Sequence, residues 1–315
     1  MSVPPKAPPQ PTRLIQTEDD VTPFVQAMLA RTPDPRLREV LMSAATHLHA
    51  FVREVRPTEP EFELALRWLR DVGQACTDSH NEMVLAADVM GASTLVDLIN
   101  NDGMQGETMS ALLGPFYRGE APDCGFGDSI ARSETPGDDL VIEGTVRDVN
   151  GDPIAGAVLD VWQASPAGLY ENQDPDQADF NLRGKFRTDA EGRYCIRTVK
   201  PAGYPIPVAG PVGELVLMQD RPVMRPAHVH FIVSAPGHKT LITQIFADTM
   251  QAMLEDVVFG AKEQIAGDLQ RTSDPHPVVQ GLKTPYYTCR YDFLLKPGEP
   301  TFPEPPIKGK AEATA

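Results

Sequence analysis

The sequence reads RPAHVHF at residues 225–231, where two histidines stand two positions apart in an alternating apolar pattern. Such alternation is typical of a β-strand, in which the side chains at i and i+2 point to the same side. His228 and His230 can therefore reach one point in space. Imidazole is the commonest protein ligand for iron, copper, zinc and nickel, so the pair indicates either a metal site or two ordinary strand histidines.

The residues around this pair do not follow the common zinc patterns, because no HExxH or CxxC motif is present. Two tyrosines stand out upstream instead. Tyr170 ends an apolar strand-like run, and Tyr204 lies in PAGYPIP, residues 201–207, which can be neither a helix nor a central strand. A ring on a rigid proline loop is either a packed core residue or a group held for chemistry, and the residues alone leave both open.

The spacing of apolar residues divides the chain into a helical part and a strand-rich part. From residue 21 to about 100 they recur every three or four positions, which predicts helices. From about residue 139 short strands alternate with Gly, Asp and Pro turns, most clearly at 140–146, 157–163, 192–199, 227–234 and 241–246. We expect an α+β chain, with an N-terminal helical domain followed by a mainly antiparallel β-sandwich catalytic domain.

These patterns predict four regions. Residues 1–20 form a disordered proline-rich arm, 21–105 a helical dimerisation domain, 106–295 the β-sandwich and 296–315 an extended tail. A further helix is predicted at 261–269, and helices are predicted at 81–90 and 93–99.

Composition excludes several classes of function. The chain has 315 residues and a net charge of -16, which argues against nucleic-acid binding. It has no apolar run long enough to span a membrane, and its first residues do not resemble a signal peptide, so we expect a cytoplasmic location. The four scattered cysteines are expected to be reduced thiols.

Several motifs resemble, in their order, those of the intradiol ring-cleavage dioxygenases: LGPFY at 113–117, GLY at 168–170, FRTDAEGRY at 186–194, GY at 203–204, RPAHVHF at 225–231 and SAPG at 234–237. The resemblance covers most of residues 62–293 and is greatest to the catechol and hydroxyquinol 1,2-dioxygenase branch. That branch carries an extra N-terminal helical domain. The resemblance implies a homodimer joined through these helices, where relatives can hold a phospholipid in an apolar tunnel.

The resemblance also implies one Fe(III) per subunit, held by four side chains: Tyr170, Tyr204, His228 and His230. Two phenolates are hard anionic donors that favour Fe(III) over Fe(II). In the family, Tyr204 leaves the metal and accepts a proton from the substrate. Arg225 stabilises negative charge on the ring, although a regular strand would point it away from the metal, and Gln244 hydrogen-bonds near the iron.

The reaction implied is ring opening between two adjacent hydroxyl-bearing carbons by O2, in aromatic compound catabolism, with no organic cofactor or external reductant. The segments YPIP at 204–207, GPVG at 210–213 and VFGAKE at 258–263 look most like hydroxyquinol enzymes. The expected substrate is therefore hydroxyquinol (1,2,4-trihydroxybenzene), giving a hydroxymuconate or maleylacetate product. The alternative is a catechol 1,2-dioxygenase that gives cis,cis-muconate.

The resemblance places Asp88 in the pocket wall, where an acceptor near the third hydroxyl would favour hydroxyquinol. Otherwise Asp88 is a partly exposed helix residue. The rest of the pocket is expected to be apolar, although these residues could equally be core: Leu85, Leu112, Leu113, Pro115, Phe116, Val257 and Val258.

Two other functions compete with this interpretation. One is a zinc or copper protein that uses the histidines while the tyrosines merely pack. The other is a transthyretin-like binding module, suggested by GDPIAGA at residues 151–157. The second does not explain the Tyr-Tyr-His-His order.

Overall fold

The structure is a computed structural model that describes residues 14–101, 103 and 106–310. The chain divides into two compact units between Trp68 and Leu69. Helix α3 (Glu59–Gln74) runs across this division. The predicted domain boundaries at 105/106 and 295/296 stay predictions.

The first unit contains helices α1 (Glu18–Leu29) and α2 (Pro35–Val55), which pack on each other. Asp34 begins α2, because its Oδ1 accepts the backbone N–H of Leu37 at 2.6 Å. Proline at the first helical position suits this start, since that N–H would have no partner in the helix.

The predicted arm at residues 1–20 is wrong at its C-terminal end, since α1 begins at Glu18. The carboxylate of Asp20 accepts the backbone N–H of Thr17 at 3.0 Å, which fixes the start of the helix there. The predicted arm at residues 1–13 lies outside the described residues.

The second unit contains helices α4 (Glu82–Val89), α5 (Ala92–Asn100), α6 (Pro211–Met218) and α7 (Met250–Leu254). Its strands are β1 (Asp139–Asp148), β2 (Val158–Gln163), β3 (Arg183–Arg187), β4 (Arg193–Val199), β5 (Tyr204–Pro205), β6 (Met224–Arg225), β7 (His228–Ser234), β8 (Leu241–Phe246), β9 (Leu269–Thr272), β10 (Tyr286–Arg290) and β11 (Phe293–Leu295).

Two sheets form a sandwich. In one, β1 pairs antiparallel with β4 on one side and parallel with β10 and then β11 on the other, and β9 joins β10. The other has the order β3-β2-β7-β8 and is wholly antiparallel. Buried residues from both sheets, such as Ile142, Ile196, Val161 and Phe231, share one hydrophobic core. The predicted fold class is confirmed, with two parallel pairings in a mainly antiparallel sandwich.

The five predicted strands all form, with ends shifted by at most two residues. The helix predicted at 261–269 is wrong. A single 3-10 turn at Glu263–Ile265 takes its place, because Gly267 donates its N–H to the carbonyl of Phe246 and β9 then starts at Leu269.

The C-terminal tail is extended, without helix or strand from residue 296 to 310. It is nevertheless docked, since Ile307 is buried and Lys308 N donates to the carbonyl of Asp78 at 2.8 Å. The last five residues lie outside the described part of the chain.

Within the described residues, no helix combines the length and the apolar character that crossing a membrane requires.

Candidate metal centre

Four side chains converge at one end of the β3-β2-β7-β8 sheet. His228 and His230 begin β7, Tyr204 begins β5, and Tyr170 lies in the loop after β2. The hydroxyl of Tyr170 is 3.1 Å from that of Tyr204, 3.5 Å from His228 Nε2 and 3.0 Å from His230 Nε2. The two Nε2 atoms are 3.1 Å apart. The predicted set is thus brought together in the interior.

The local backbone explains how the loops reach this point. Gly168 has a φ of 82°, and a Cβ there would lie 3.1 Å from the Cβ of Tyr204. A glycine is needed because it adopts this conformation freely and leaves room for the second tyrosine.

Both imidazoles are neutral. Burial, helped by the positive charge of Arg225, lowers the pKa of His228 to about 3. Burial and the neighbouring His228 hold the pKa of His230 well below its usual value. Nδ1 of His228 lies 2.7 Å from the carbonyl of Pro226, and a neutral ring that donates there has its lone pair on Nε2, facing the other three atoms.

Aromatic contacts fix the rings. The ring of Trp162 stacks on His230 at 4.6 Å with an interplanar angle of 8°, and Phe116 lies 4.7 Å from the ring of Tyr170. Gly114 lies over the edge of His230, since a Cβ there would be 3.4 Å from Cε1. These contacts hold the rings in one orientation, so the side chains lose little conformational entropy when a ligand binds.

The four donor atoms fit one metal ion. Neighbouring ligands about 2.1 Å from an ion and about 90–110° apart are separated by about 3.0–3.4 Å, which is close to the spacing here. Burial raises the pKa of Tyr170 well above 10 and also raises that of Tyr204. These phenols would ionise only if a cation replaced their protons, and two anionic oxygens with two imidazoles suit a trivalent ion.

Arg225 lies beside this cluster. The family resemblance implied this position, whereas a regular strand would have pointed the side chain away. Strand β6 ends at Arg225 and β7 starts only at His228, so Pro226 and Ala227 interrupt the alternation. Its Nη1 is 3.1 Å from His228 Nε2, and its Nη2 donates to Gln244 Oε1 at 3.1 Å. Gln244 in turn donates to the carbonyl of Leu112 at 2.6 Å.

Asp256 pairs with Arg225 and was not predicted from the sequence. Its carboxylate accepts Nε of Arg225 at 3.2 Å and Nη2 at 3.3 Å, together with the backbone N–H groups of Gly260 and Ala261. Burial alone would raise the pKa of Asp256, but Arg225 holds it below its ordinary value. The guanidinium is thereby fixed with Nη1 directed at the cluster.

A second buried arginine lies beneath Tyr170. The guanidinium carbon of Arg183 is 5.9 Å from the centre of the Tyr170 ring, and its Nε is 3.1 Å from Glu171 Oε1. Glu171 also accepts Nη1 of Arg118 at 2.5 Å. This pairing links the loop that carries Phe116 to the loop that carries Tyr170.

The predicted pocket residues are all wholly or partly buried, and two of them pack against the cluster. Phe116 touches Tyr170, and Leu113 packs in the same aromatic group. Asp88 is buried, so it is not the partly exposed residue of the alternative interpretation. Burial raises its pKa, and the positive charge of Arg225 partly opposes this rise. The remaining five are buried on α4, on the loop before Phe116 and in the turn after Asp256: Leu85, Leu112, Pro115, Val257 and Val258.

One other group in the described part of the chain has metal-ligand chemistry, namely Glu143, Cys195 and His276. It does not suit a metal. Nδ1 of His276 accepts the N–H groups of Val278 and Val279, so in the neutral ring Nε2 carries the proton. That proton faces Glu143, whose Oε2 lies 3.6 Å from Nε2, so the ring presents no free lone pair to an ion.

Two family models match the chain: "Dioxygenase" over residues 113–297 and "Catechol dioxygenase N terminus" over residues 34–108. The hydroxyquinol 1,2-dioxygenase of Rhizobium sp. (strain MTP-10005) is 43% identical over 274 residues, covering 86% of this chain and 92% of the relative. The chain belongs to the intradiol ring-cleavage dioxygenases. It is therefore an oxidoreductase, of a family that generally uses non-haem iron.

Other relatives of this dioxygenase differ in their named substrate. The catechol 1,2-dioxygenase of Candida albicans is 39% identical over 277 residues, covering 87% of this chain and 91% of its own. Among solved structures, hydroxyquinol 1,2-dioxygenase from Pseudomonas putida DLL-E4 has a TM-score of 0.81 and 37% identity, covering 89% of this chain and 99% of that chain.

Local sequence patterns do not mark the residues that support the cluster. Trp162 occupies an inward position of the predicted strand 157–163, and nothing in that pattern marks it as the partner of His230. Asp256 was visible only as a carboxylate next to two apolar residues in LEDVVFG, residues 254–260. A carboxylate in such a run is worth testing as the partner of a buried cation.

We predict that Asp256→Ala lowers the free energy of unfolding by about 3–5 kcal/mol at pH 7, because it leaves Arg225 buried without a carboxylate. Urea unfolding measures this. The folded pKa of Asp256 is depressed, so the stabilisation is complete above about pH 4 and disappears as acid protonates the carboxylate.

The matched control is Asp179→Ala, which removes an exposed partner of Arg118 and should change stability by less than about 1 kcal/mol. A loss of the same small size for Asp256→Ala would contradict the assignment.

Proposed function

We propose that this dioxygenase opens the ring of hydroxyquinol with O2, using one Fe(III) per subunit. The observation that carries the proposal is the convergence of two phenol oxygens and two imidazole nitrogens beside a buried arginine. The Tyr170 oxygen lies 3.0–3.5 Å from the other three atoms, and the two nitrogens are 3.1 Å apart. The products would be hydroxymuconate and its tautomer maleylacetate, which contain both atoms of O2.

Tyr170, Tyr204, His228 and His230 would hold the iron. When bound, Fe(III) would supply a Lewis acid that draws electron density from the chelating diol. As the family resemblance implies, the phenolate of Tyr204 would accept a proton when the diol binds and would become the neutral phenol. Burial raises the pKa of Tyr204, and the charge and hydrogen bond of Arg225 lower it, so the guanidinium would stabilise this phenolate before it takes up the proton.

Arg225 would stabilise the negative charge that develops on the ring as oxygen adds. Its position is fixed before substrate arrives, since Asp256 and Gln244 hold two of its nitrogen atoms. Preorganised charge of this kind needs no rearrangement during the reaction.

Asp88 supports hydroxyquinol as the substrate. Burial raises its pKa to about 6, opposed by a hydrogen bond from Ser93 and by the charge of Arg225. A carboxylate that is buried at such a disadvantage is a frequent sign of function. At neutral pH its carboxylate would accept a hydrogen bond from the hydroxyl that hydroxyquinol has and catechol lacks.

Catechol is the second candidate substrate. The 39% identity to the Candida albicans catechol 1,2-dioxygenase favours it, and apolar side chains that line a cavity with Asp88, such as Leu112 and Leu113, would accept an unsubstituted ring. Binding catechol would leave the Asp88 carboxylate without its partner, which should cost about 1–3 kcal/mol.

We also propose a cytoplasmic homodimer joined through the N-terminal helices. Helix α2 exposes apolar side chains every three or four residues, including Leu37, Leu41, Leu48, Val52 and Val55. A stripe of this kind is usually covered by a partner.

We predict about one iron per chain and a red-brown colour from phenolate-to-iron charge transfer. Tyr170→Phe and Tyr204→Phe should each weaken or shift the visible band and reduce ring opening more than about 100-fold, because each removes an anionic donor. Metal analysis and visible spectra measure this.

Tyr117→Phe is the control, because the hydroxyl of this buried tyrosine donates its hydrogen bond to Asp160 and not to a residue of the cluster. Its band and iron content should match the wild type. Colourless, active protein with stoichiometric zinc would show that the iron assignment is wrong.

We predict a higher kcat/KM for hydroxyquinol than for catechol. Asp88→Ala should reduce the ratio by about 5- to 150-fold, the equivalent of about 1–3 kcal/mol. Steady-state kinetics with both substrates measure it, and a wild type that prefers catechol would rule out the hydroxyquinol assignment.

We predict that the ratio also falls as the pH drops through about 6, because Asp88 becomes neutral. Catechol is the internal control, because the titration of any other group should change the turnover of both substrates alike.

The raised pKa of Asp88 in the folded protein also affects stability. The ionised carboxylate lowers the free energy of unfolding at pH 8 and no longer does so near pH 4. Asp88→Asn should therefore stabilise the protein by up to about 3 kcal/mol at pH 8 and by little at pH 4. Equal effects at both pH values would contradict the raised pKa.

A further inference from the structure

Helix α4, which carries Asp88, is held at both ends by one continuous segment, residues 210–221. This segment consists of α6 and the turn that follows it. At the start of α4, Oε1 of Glu82 accepts the backbone N–H of Val212 at 3.0 Å. At its end, Nη1 of Arg221 donates to the carbonyl of Val89 at 3.1 Å. We call these two contacts the α4 clamp.

The Glu82 contact is built into the interior. Glu82 has 0% exposure, and its second oxygen lies 2.5 Å from His80 Nε2. The carboxylate sits at the N-terminus of α6, where the helix dipole and free N–H groups stabilise negative charge. Burying a carboxylate is unfavourable without such partners, so the contact with α6 is what allows Glu82 to lie in the interior.

Gly210 makes room for this carboxylate. A Cβ at position 210 would lie 2.5 Å from Glu82 Oε1, while the φ of -99° is one that any residue adopts. The glycine is therefore needed for the close approach of Glu82 and not for the backbone conformation.

The Arg221 contact extends to the turn that follows Asp256. Its Nη2 donates to the carbonyl of Val257 at 2.8 Å, and its guanidinium carbon is 4.9 Å from the centre of the Phe259 ring. The hydroxyl of Thr94, on α5, donates to the carbonyl of Val258 at 3.2 Å. The same arginine thus joins the end of α4 to the turn held by Asp256.

Asp88 lies between these contacts, one residue before Val89, with its side chain hydrogen-bonded to Ser93. We propose that Glu82 and Arg221 are specificity-positioning residues. Without touching substrate, they set the distance from the Asp88 carboxylate to a ring bound beside Arg225. The inference rests on the proposed role of Asp88 toward hydroxyquinol.

A double-mutant cycle tests the clamp. Glu82→Ala, Asp88→Ala and the double variant are compared by kcat and KM for hydroxyquinol and catechol. Glu82→Ala should reduce the hydroxyquinol-to-catechol ratio of kcat/KM about tenfold, mainly through KM for hydroxyquinol, because a shift of about 1 Å has effects of this order or larger. In the Asp88→Ala background it should change the ratio less than about twofold.

Two further variants keep the test valid if Glu82→Ala does not fold. Glu82→Gln keeps the Oε1 acceptor and should keep the ratio within about threefold of the wild type. Gly210→Ala adds a Cβ that would lie 2.5 Å from Glu82 Oε1 and so displaces the carboxylate. It should lower the ratio as Glu82→Ala does. Glu214→Ala, on the exposed side of α6, is the control and should leave the ratio unchanged.

A purely structural role would lower stability, and it would reduce the turnover of both substrates together. An unchanged ratio in Glu82→Ala and Gly210→Ala, or an equal drop with and without Asp88, would overturn the clamp. A wild type that prefers catechol overturns the proposed substrate and the clamp together. A wild type that prefers hydroxyquinol but gives an additive cycle overturns the clamp alone.

Discussion

The register of β7 between β2 and β8 is the constraint on which the site depends. It sets Trp162 opposite His230 and His230 opposite Gln244, and it sets His228 opposite Phe246. One row across the sheet therefore supplies the stacking ring, a nitrogen donor and the amide that holds Arg225. A slip of one residue would turn both histidines to the other face, so the packing of the sandwich and the geometry of the cluster are specified together.

The buried arginines of this unit are paired with carboxylates. Arg225 has Asp256, Arg183 and Arg118 share Glu171, and each arrangement leaves a cation next to a phenol that must become anionic to bind a metal. Such pairs add little to stability compared with apolar packing of the same volume. Their value lies in a fixed electrostatic environment, which the proposed reaction would require because it builds negative charge on a ring.

Most of the helices and strands could be predicted because they depend on local patterns. The set of four side chains was implied by the resemblance of several motifs, since the residues alone left the role of the two tyrosines open. Strand alternation placed His228 and His230 on one side, and the proline loop marked Tyr204. The supporting residues depend on which loops meet in space, and no local signal reports that: Asp256 is far from Arg225 in sequence, as is Glu82 from Val212. The helix predicted at 261–269 failed for the same reason, since the bond from Gly267 to the distant Phe246 overrides local helical preference.

The pairing of β1 has a consequence for how the chain assembles. Leu140 aligns with Tyr287 and Val146 with Phe293, so this central strand receives its neighbours on one side only from the end of the sequence. Contacts of such long sequence separation make folding slow. During synthesis, a nascent chain that has passed β4 would expose the open edge of β1 until β10 and β11 emerge, and this interval is when association with other chains is most dangerous.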